Sequence, residues 1–384
     1  MFTYLRYPTI EAPKRIGATA ATGAQRCLLR FVLNSSVAES KMALPSSSPY
    51  RYSGTLVHKT IESVRRGDCG DHVTPERLLA VWEEHLDSME QEAKDNGDAC
   101  WLPIRESVRQ LERLRLWTAR LAAGQPVHSG KSGPTSTEPW LENEDGTVVG
   151  RVDSVSASDG HLALRDFKTG TVLDENGEVL SDYRTQMLIY ASLFRATRGQ
   201  WPDSLELVDK RGTTAQVAFT TESAIEAVKQ AKETLEKARS EVGAGGSPES
   251  FAALCSMSTE TCVQCRHRPA CPAFSKSLSE QGRVEFDQNT WRKFDLTGQV
   301  ERTLDLGNDR YVAVIRCGSD DLTVRGLSAL ATFGSSSADI ASNLPEPGDQ
   351  LAIFGVAPAR FSDTEPQLFN ANRDATVYIV PSTL

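Results

Sequence analysis

The chain has 384 residues and a formal net charge of −9, with 39% hydrophobic and 24% charged residues. These values are typical of a soluble protein long enough for two domains. No apolar run reaches the roughly 18 residues of a transmembrane helix, and residues 1–20 lack the apolar region of a secretory signal, so we expect a cytoplasmic protein.

The first third of the chain reads as mainly helical. Thr74-Pro75 is a favourable N-cap and first-turn pair for an amphipathic helix that runs to about Lys94. A Ser/Pro-rich loop and a Gly/Ser/Pro-rich loop interrupt the helical pattern at 34–53 and 124–139. The other helices that we predict here span residues 21–33, 54–66 and 103–123.

A β-hairpin follows, and it carries charged residues at its ends. VVGRVDSV and HLALRDFKT alternate like strands, and Ser158-Asp159-Gly160 supplies the turn between them. Because alternate residues of a strand share a face, Asp166 and Lys168 point the same way and Phe167 points into apolar packing. Asp153 ends the preceding strand and can reach the same spot.

The segment after the hairpin, Asp182 to Thr197, is predicted as a helix. Gln186 and Tyr190 are four residues apart and therefore share one face of it. Two carboxylates beside a lysine ammonium suit a divalent-metal site that cleaves a phosphodiester. The prediction depends on the combination, because an isolated Asp-x-Lys on a strand is usually a solvated edge.

These residues resemble the RecB-family branch of the PD-(D/E)XK nucleases, which has Gly-x-x-Asp, Asp-x-Lys-Thr-Gly and Gln-x-x-x-Tyr in this order. Here the three motifs are Gly150-Arg-Val-Asp153, Asp166-Phe-Lys168-Thr-Gly and Gln186-Met-Leu-Ile-Tyr190. The resemblance implies an α/β restriction-endonuclease-like core with a helical N-terminal part.

Two further positions extend the resemblance. Gly54-Thr-Leu-Val-His58 matches an upstream Gly-x-x-x-His motif whose histidine joins the metal site, although a histidine on an apolar segment is more often a core residue. Glu138 stands where the family often has a strand glutamate near the site, and it is equally consistent with a loop carboxylate.

Three of the eight cysteines form the cluster Cys262-x2-Cys265-x5-Cys271, whose thiolates could bind one metal centre. The pattern resembles the AddB-like members of the family, which hold a [4Fe-4S] cluster with one early cysteine, here Cys27. Zinc and a fourth ligand from Cys255 remain alternatives. Disulfides are not expected in a reducing cytosol.

The rest of the chain divides into two parts. A strand near 205–219 and a charged helix from Thr221 to about Val242 precede the cysteines. A polar linker spans about 276–294, and we place a nuclease domain at 1–285 and a separable second domain at 295–384. Five short strands with a helix within 327–343 make the second domain resemble a small OB-fold barrel.

The second domain is acidic, because six arginines face twelve carboxylates from residue 295 onward, a net charge of −6. Negative charge repels phosphate, so we favour a packing or partner-docking role over single-strand binding for this part. Tyr311, Phe354 and Phe361 are aromatic candidates for base stacking, but core or rim positions are the simpler interpretation.

The resemblance implies a mechanism. Asp153, Asp166, the Phe167 carbonyl and His58 would hold Mg²⁺ or Mn²⁺, with Lys168 acting on the phosphate. Gln186 and Tyr190 would orient Lys168 or the strand.

The implied substrate is DNA, as single strands or frayed ends. Because Gly130-Lys131-Ser132 lacks the first glycine of a P-loop, a helicase partner would be a separate protein. The implied partner is such a helicase or a DNA repair, recombination or defence protein. The alternatives are a catalytically weak DNA-binding scaffold subunit of a helicase–nuclease complex and a spacer-processing nuclease of CRISPR adaptation.

Overall fold

The computed structural model of the chain describes residues 4, 10–36, 44, 49–69, 73–95, 139–158, 160–209, 213–243, 248–288, 291–308, 310–328, 331–333, 340–341, 344–360 and 365–380. Within this part of the chain, no helix is both long enough and apolar enough to cross a lipid bilayer.

Helices dominate the described part of residues 1–281. In chain order they are α1 (Ala18–Arg26), α2 (Leu28–Ser36), α3 (Pro49–Arg66), α4 (Pro75–Asp95), α5 (Ser181–Arg198), α6 (Thr221–Gly243), α7 (Pro248–Ala253), α8 (Thr259–Val263) and α9 (Pro272–Gln281).

The strands of the described residues fall into three sheets. In chain order they are β1 (Ile16–Gly17), β2 (Trp140–Glu142), β3 (Val148–Arg151), β4 (Ser154–Ser158), β5 (His161–Phe167), β6 (Ser204–Val208), β7 (Thr214–Gln216), β8 (Arg283–Gln288), β9 (Trp291–Gly307), β10 (Arg310–Cys317), β11 (Asp320–Ser328), β12 (Ala331–Phe333), β13 (Ile340–Ala341), β14 (Gln350–Pro358) and β15 (Leu368–Val380).

Local sequence signals explain several element boundaries. Thr74 accepts a hydrogen bond from the backbone N–H of Arg77 at its hydroxyl, and α4 begins at Pro75 as predicted. Helix α5 ends at Gly199, whose φ of 78° is the left-handed conformation that terminates many helices. The predicted helix over 21–33 is instead two helices, because Cys27 between them is extended.

Two small sheets carry the first region. β1, β3 and β2 form one sheet with β3 in the middle, and β4, β5, β6 and β7 form the other, in which β5 and β6 are parallel. The chain leaves the first sheet after Arg151 and enters the second at Ser154. The predicted continuous strand is therefore wrong at this point, and Asp153 lies where the backbone crosses between the sheets.

The C-terminal strands form a closed ring of five. β9 pairs with β10, β10 with β11, β14 with β9 and β15 with β14, all antiparallel, and a parallel pairing of β11 with β15 completes the ring. The five predicted strands are confirmed, although β15 begins earlier than expected. The described residues of 327–343 are extended rather than helical, with β12 and β13 in this segment.

The C-terminal sheet is continuous with the first region in two respects. β8 pairs with β9, so the sheet begins at Arg283, before the predicted boundary at 285. Phe354 and Tyr378 belong to the hydrophobic core that also contains α1, α5 and α6. The division into 1–285 and 295–384 stays a prediction.

A buried ion pair joins residues 262–271, the cysteine segment, to the C-terminal sheet. Arg268 donates from Nε to Asp295 Oδ2 at 2.5 Å and from Nη1 to the backbone carbonyls of Cys262 and Cys265 at 2.8 and 3.0 Å. Asp295 Oδ1 also accepts from the backbone N–H of Gly355 at 2.9 Å. One arginine thus holds the cysteine loop and two strands together.

Aromatic rings surround this ion pair. The Arg268 guanidinium lies 5.1 Å from the ring centroid of Phe286 and 5.9 Å from those of Phe274 and Phe354. Because an arginine enclosed by rings is cut off from water, it is stable there only with its carboxylate partner.

We expect Asp295→Asn to lower the free energy of unfolding by about 3–5 kcal/mol, because it leaves the Arg268 charge buried without compensation. Urea unfolding measures the change. The matched control is Glu280→Gln, which removes an exposed pair with Lys276 at 3.9 Å and should cost less than about 0.5 kcal/mol. Equal shifts for the two variants would contradict a structural role for the buried pair.

Candidate active site

The site lies where β5 ends against β6. Asp166 is the penultimate residue of β5 and is only 3% exposed. The backbone N–H of Lys168 donates to the carbonyl of Val208 at 2.8 Å, which extends the parallel pairing one residue beyond the strand. The extended backbone therefore places Asp166 and Lys168 on the same side, as predicted, and their charged atoms Oδ2 and Nζ are 2.7 Å apart.

Asp153 reaches this point from the crossing between the sheets. Its Oδ2 accepts the backbone N–H of Phe167 at 2.6 Å, so the carboxylate is fastened to the end of β5. Its Oδ1 lies 3.2 Å from Nδ1 of His58. The expectation that Asp153 and the β5 residues meet is thus confirmed by a different backbone path.

Packing on the opposite face positions His58. The Phe167 side chain is buried in a cluster with Leu56, Val57 and Ile61 of α3. This contact holds α3 against the strand, and His58 follows directly after Val57 on the same helix. Alternate residues at the end of β5 therefore face opposite sides. Phe167 packs against α3, whereas Asp166 and Lys168 carry the charges of the site.

Helix α5 supplies a polar network over the two charges. Lys168 Nζ donates to Gln186 Oε1 at 2.9 Å, and Gln186 Nε2 donates to Tyr190 Oη at 2.8 Å and to Asp166 Oδ1 at 3.3 Å. Gln186 and Tyr190 are both buried. The amide thus spans the ammonium and the carboxylate, and Tyr190 fixes the orientation of the amide.

Gly150 is needed for this arrangement. A Cβ atom at Gly150 would lie 2.7 Å from Cε1 of Tyr190 and 3.4 Å from Cδ1 of Leu193. Real side chains do not approach so closely, so β3 and α5 pack together here only because the residue is glycine. The glycine of the Gly-x-x-Asp motif thereby determines where Tyr190 sits.

The charges of the site perturb one another. Burial raises the pKa of Asp166 to about 6, and the negative charge of Asp153 adds to this effect. Partial burial by itself would lower the pKa of His58, but Asp153 and Asp166 raise it to about 9. The two carboxylates therefore favour positive charge nearby, including the protonated form of His58.

The oxygen atoms suit a hard divalent cation. Asp166 Oδ2 is buried and accepts no hydrogen bond of good geometry within the described residues, although Lys168 Nζ is close. In this part of the chain no three His, Cys, Asp or Glu side chains are already arranged as a metal-binding group. A cation would therefore bind through Asp153 and Asp166 with further oxygens such as the Phe167 carbonyl.

The predicted cysteines converge at a second place. The N–H of Leu29 donates to the carbonyl of Leu254 at 3.1 Å, which brings the α1–α2 break next to residue 255. A hydrogen bond from Cys255 lowers the pKa of Cys27 to about 5, and Cys255 Sγ lies 3.4 Å from Cys271 Sγ. Cys27 and Cys271 are therefore linked through a thiol that the sequence left as an alternative.

The remaining two cysteines belong to the same neighbourhood. Burial raises the pKa of Cys262, and the charges of Cys271 and Cys27 act in the same direction. Burial likewise raises the pKa of Cys265 to about 11. These two thiols and those of Cys27 and Cys271 are all buried.

Some predicted features lie outside the described residues. These are Glu138, Phe361, the predicted helix over 103–123 and the segment Gly130-Lys131-Ser132. Two contacts at the site were missed from the sequence. The Tyr183 ring lies against Lys168, and the Thr19 side chain hydrogen-bonds Tyr190. Tyr183 is three residues before Gln186 and shares its helix face, so the sequence could have indicated the Tyr183 contact. No local signal indicates the contact of Thr19 with Tyr190.

Two motif glycines should respond oppositely to alanine. We expect Gly150→Ala to lower the free energy of unfolding by about 1–3 kcal/mol, because the new methyl group overlaps the buried Tyr190 ring. Gly54→Ala is the control, since its Cβ would be 3.7 Å from the nearest atom, Thr169 Oγ1, and alanine favours a helix interior by up to about 1 kcal/mol. Denaturant unfolding measures both, and an unchanged Gly150→Ala protein would contradict the packing role.

Comparisons with known proteins give distant structural similarities and one match to a protein family. The crystal structure of SSO0001 is 16% identical, covers 58% of this chain and 97% of its own, and superposes with a TM-score of 0.28. A "putative exonuclease" from Eubacterium rectale is 13% identical, with 61% and 83% coverage and a TM-score of 0.33. A search of curated proteins finds no match. The sequence profile of the PD-(D/E)XK nuclease superfamily matches residues 15–272, which include His58, both aspartates and Lys168, and the chain therefore belongs to this superfamily.

Proposed function

We propose that this chain is a Mg²⁺- or Mn²⁺-dependent deoxyribonuclease that acts on single-stranded DNA or frayed ends. The observation that supports this best is the position of Lys168 Nζ, 2.7 Å from Asp166 Oδ2 and 2.9 Å from Gln186 Oε1, beside a second carboxylate. The preference for single strands or ends, and a separate helicase as partner, follow from the RecB-type motifs.

Each polar group has a defined task in this proposal. Asp153 and Asp166 would hold the cation by carboxylate oxygens, with His58 and the Phe167 carbonyl as further candidate ligands. When bound, the cation offsets the negative charge that grows on the phosphate and acidifies the attacking water.

Lys168 donates hydrogen bonds to the phosphate and the water in the transition state, where a fixed positive charge is most effective. Gln186 holds the ammonium, and Tyr190 keeps the amide of Gln186 from rotating.

We also propose that Cys27, Cys262, Cys265 and Cys271 hold a [4Fe-4S] cluster. Support comes from their common burial and from the early and late cysteines meeting through Cys255. Such a centre would join the α1–α2 break to the segment before α9. Its role would be structural, because a link between positions so distant in sequence restricts the unfolded chain.

For the C-terminal ring we propose an OB-type barrel that docks a protein partner. Its support is the strand order, in which three consecutive antiparallel strands are followed by two that close the ring through a parallel pairing of β11 and β15. The net charge of −6 from residue 295 onward disfavours a nucleic-acid role for this part.

Cleavage of end-labelled single- and double-stranded DNA, with protein prepared without oxygen, tests the nuclease assignment. Asp166→Ala and Lys168→Ala should each lower the rate at least about a hundredfold, because the first removes a ligand of the cation and the second removes the ammonium that contacts the phosphate. Lys229→Ala, at an exposed lysine of α6, is the control and should cleave like the wild type. Full activity in Lys168→Ala would exclude the assigned site.

Metal analysis and visible absorbance test the cysteine assignment. Protein purified without oxygen should be brown and contain iron and sulfide, and serine at position 27, 262, 265 or 271 should remove the colour. Cys255→Ser should stay brown, as should the control Cys69→Ser. A colourless protein with stoichiometric zinc would rule out the cluster, and loss of colour in Cys255→Ser but not Cys27→Ser would make Cys255 the fourth ligand.

A further inference from the structure

Tyr183 lies on the face of α5 that covers the catalytic charges. It precedes Gln186 by three residues and Tyr190 by seven, and this spacing keeps all three side chains on one side of a helix. None of the three family-like motifs includes it. The face that orients Lys168 is therefore longer than the Gln-x-x-x-Tyr motif.

The ring of Tyr183 is in direct contact with the lysine. Lys168 Nζ is 4.8 Å from the ring centroid, within the range of an attractive cation–π interaction. The lysine side chain is only 16% exposed, so water screens this attraction less than it would at the surface. Asp166, Gln186 and the ring thus contact the ammonium together.

The three contacts use the ammonium differently. Gln186 accepts an N–H donor of the ammonium and Asp166 Oδ2 attracts its charge from 2.7 Å, whereas the aromatic face attracts the charge without engaging a donor. The ring therefore holds the ammonium without taking up an N–H group that a substrate oxygen could accept. The ring also has no lone pair that competes with the carboxylates for a cation.

We propose that Tyr183 is a positioning residue that holds the Lys168 ammonium in its catalytic direction through the face of its ring. The inference rests on the proposed nuclease function and deepens it. The hydroxyl is not required, because Tyr183 Oη lies beside Gly170, 3.6 Å from where a Cβ of that residue would stand.

Two substitutions of Tyr183 distinguish the effect of its aromatic face from the effect of its side-chain volume. Tyr183→Phe retains an aromatic face and should keep kcat for DNA cleavage within about twofold of wild type. Tyr183→Leu keeps an apolar side chain but removes the face, and kcat should fall about tenfold with little change in KM for DNA or in melting temperature. Equal kcat values for the two variants would overturn the proposal, as would a loss confined to KM or to stability.

A second measurement does not depend on activity. In protein with ¹³C-labelled lysine ε-carbons, the Lys168 signal is identified by its disappearance in Lys168→Arg. A ring face over the ammonium shifts the neighbouring methylene protons upfield, so Tyr183→Phe should retain this shift and Tyr183→Leu should abolish it.

The two measurements keep the proposals apart. If the wild type fails to cleave DNA, the nuclease function is wrong, and the NMR comparison still decides whether the ring holds Lys168. If Lys168→Ala abolishes cleavage while Tyr183→Leu matches Tyr183→Phe in both measurements, only the role of Tyr183 is wrong.

Discussion

Asp166 is a buried carboxylate beside a second carboxylate, and such a group is stable in a folded protein only when positive charge lies close to it. The surrounding structure meets this requirement from several directions. β5 brings Lys168, α3 brings His58, and α5 brings an amide that joins the charges. A divalent cation would meet the same requirement more fully, so the arrangement that stabilises the ligand-free fold also favours metal binding.

The connection between the two small sheets depends on the second carboxylate, Asp153. Asp153 can reach β5 because the chain crosses from one sheet to the other at residues 152–153, and its hydrogen bond to the Phe167 N–H secures the crossing. Gly150, three residues earlier, allows α5 to approach closely enough for the Tyr190 ring to pack directly against β3. The Gly-x-x-Asp motif therefore unites a packing requirement with a chemical one.

Arg268 extends the same principle to the other end of the chain. Its guanidinium binds the carbonyls of the cysteine segment and a fully buried aspartate of β9. The C-terminal ring and the cysteine segment consequently share one buried charge pair and a set of aromatic rings. Separable domains, the simplest expectation from the polar linker, would have to expose this charge to water.

The sequence by itself predicted which side chains meet at the candidate site and the type of most elements. Asp166-x-Lys168 on an alternating strand and Gln186-x3-Tyr190 on a helix are local patterns, because the repeat of 2.0 or 3.6 residues decides which side chains share a face. The five C-terminal strands followed from the same periodicity.

Only the tertiary structure decided the contacts between distant segments. The meeting of Cys27 with Cys255, the Arg268–Asp295 pair and the hydrogen bond between Thr19 and Tyr190 all join positions whose separation in sequence carries no signal. Such contacts are determined by how elements pack, and packing depends on the shape and charge of the whole core rather than on the repeat of any one segment.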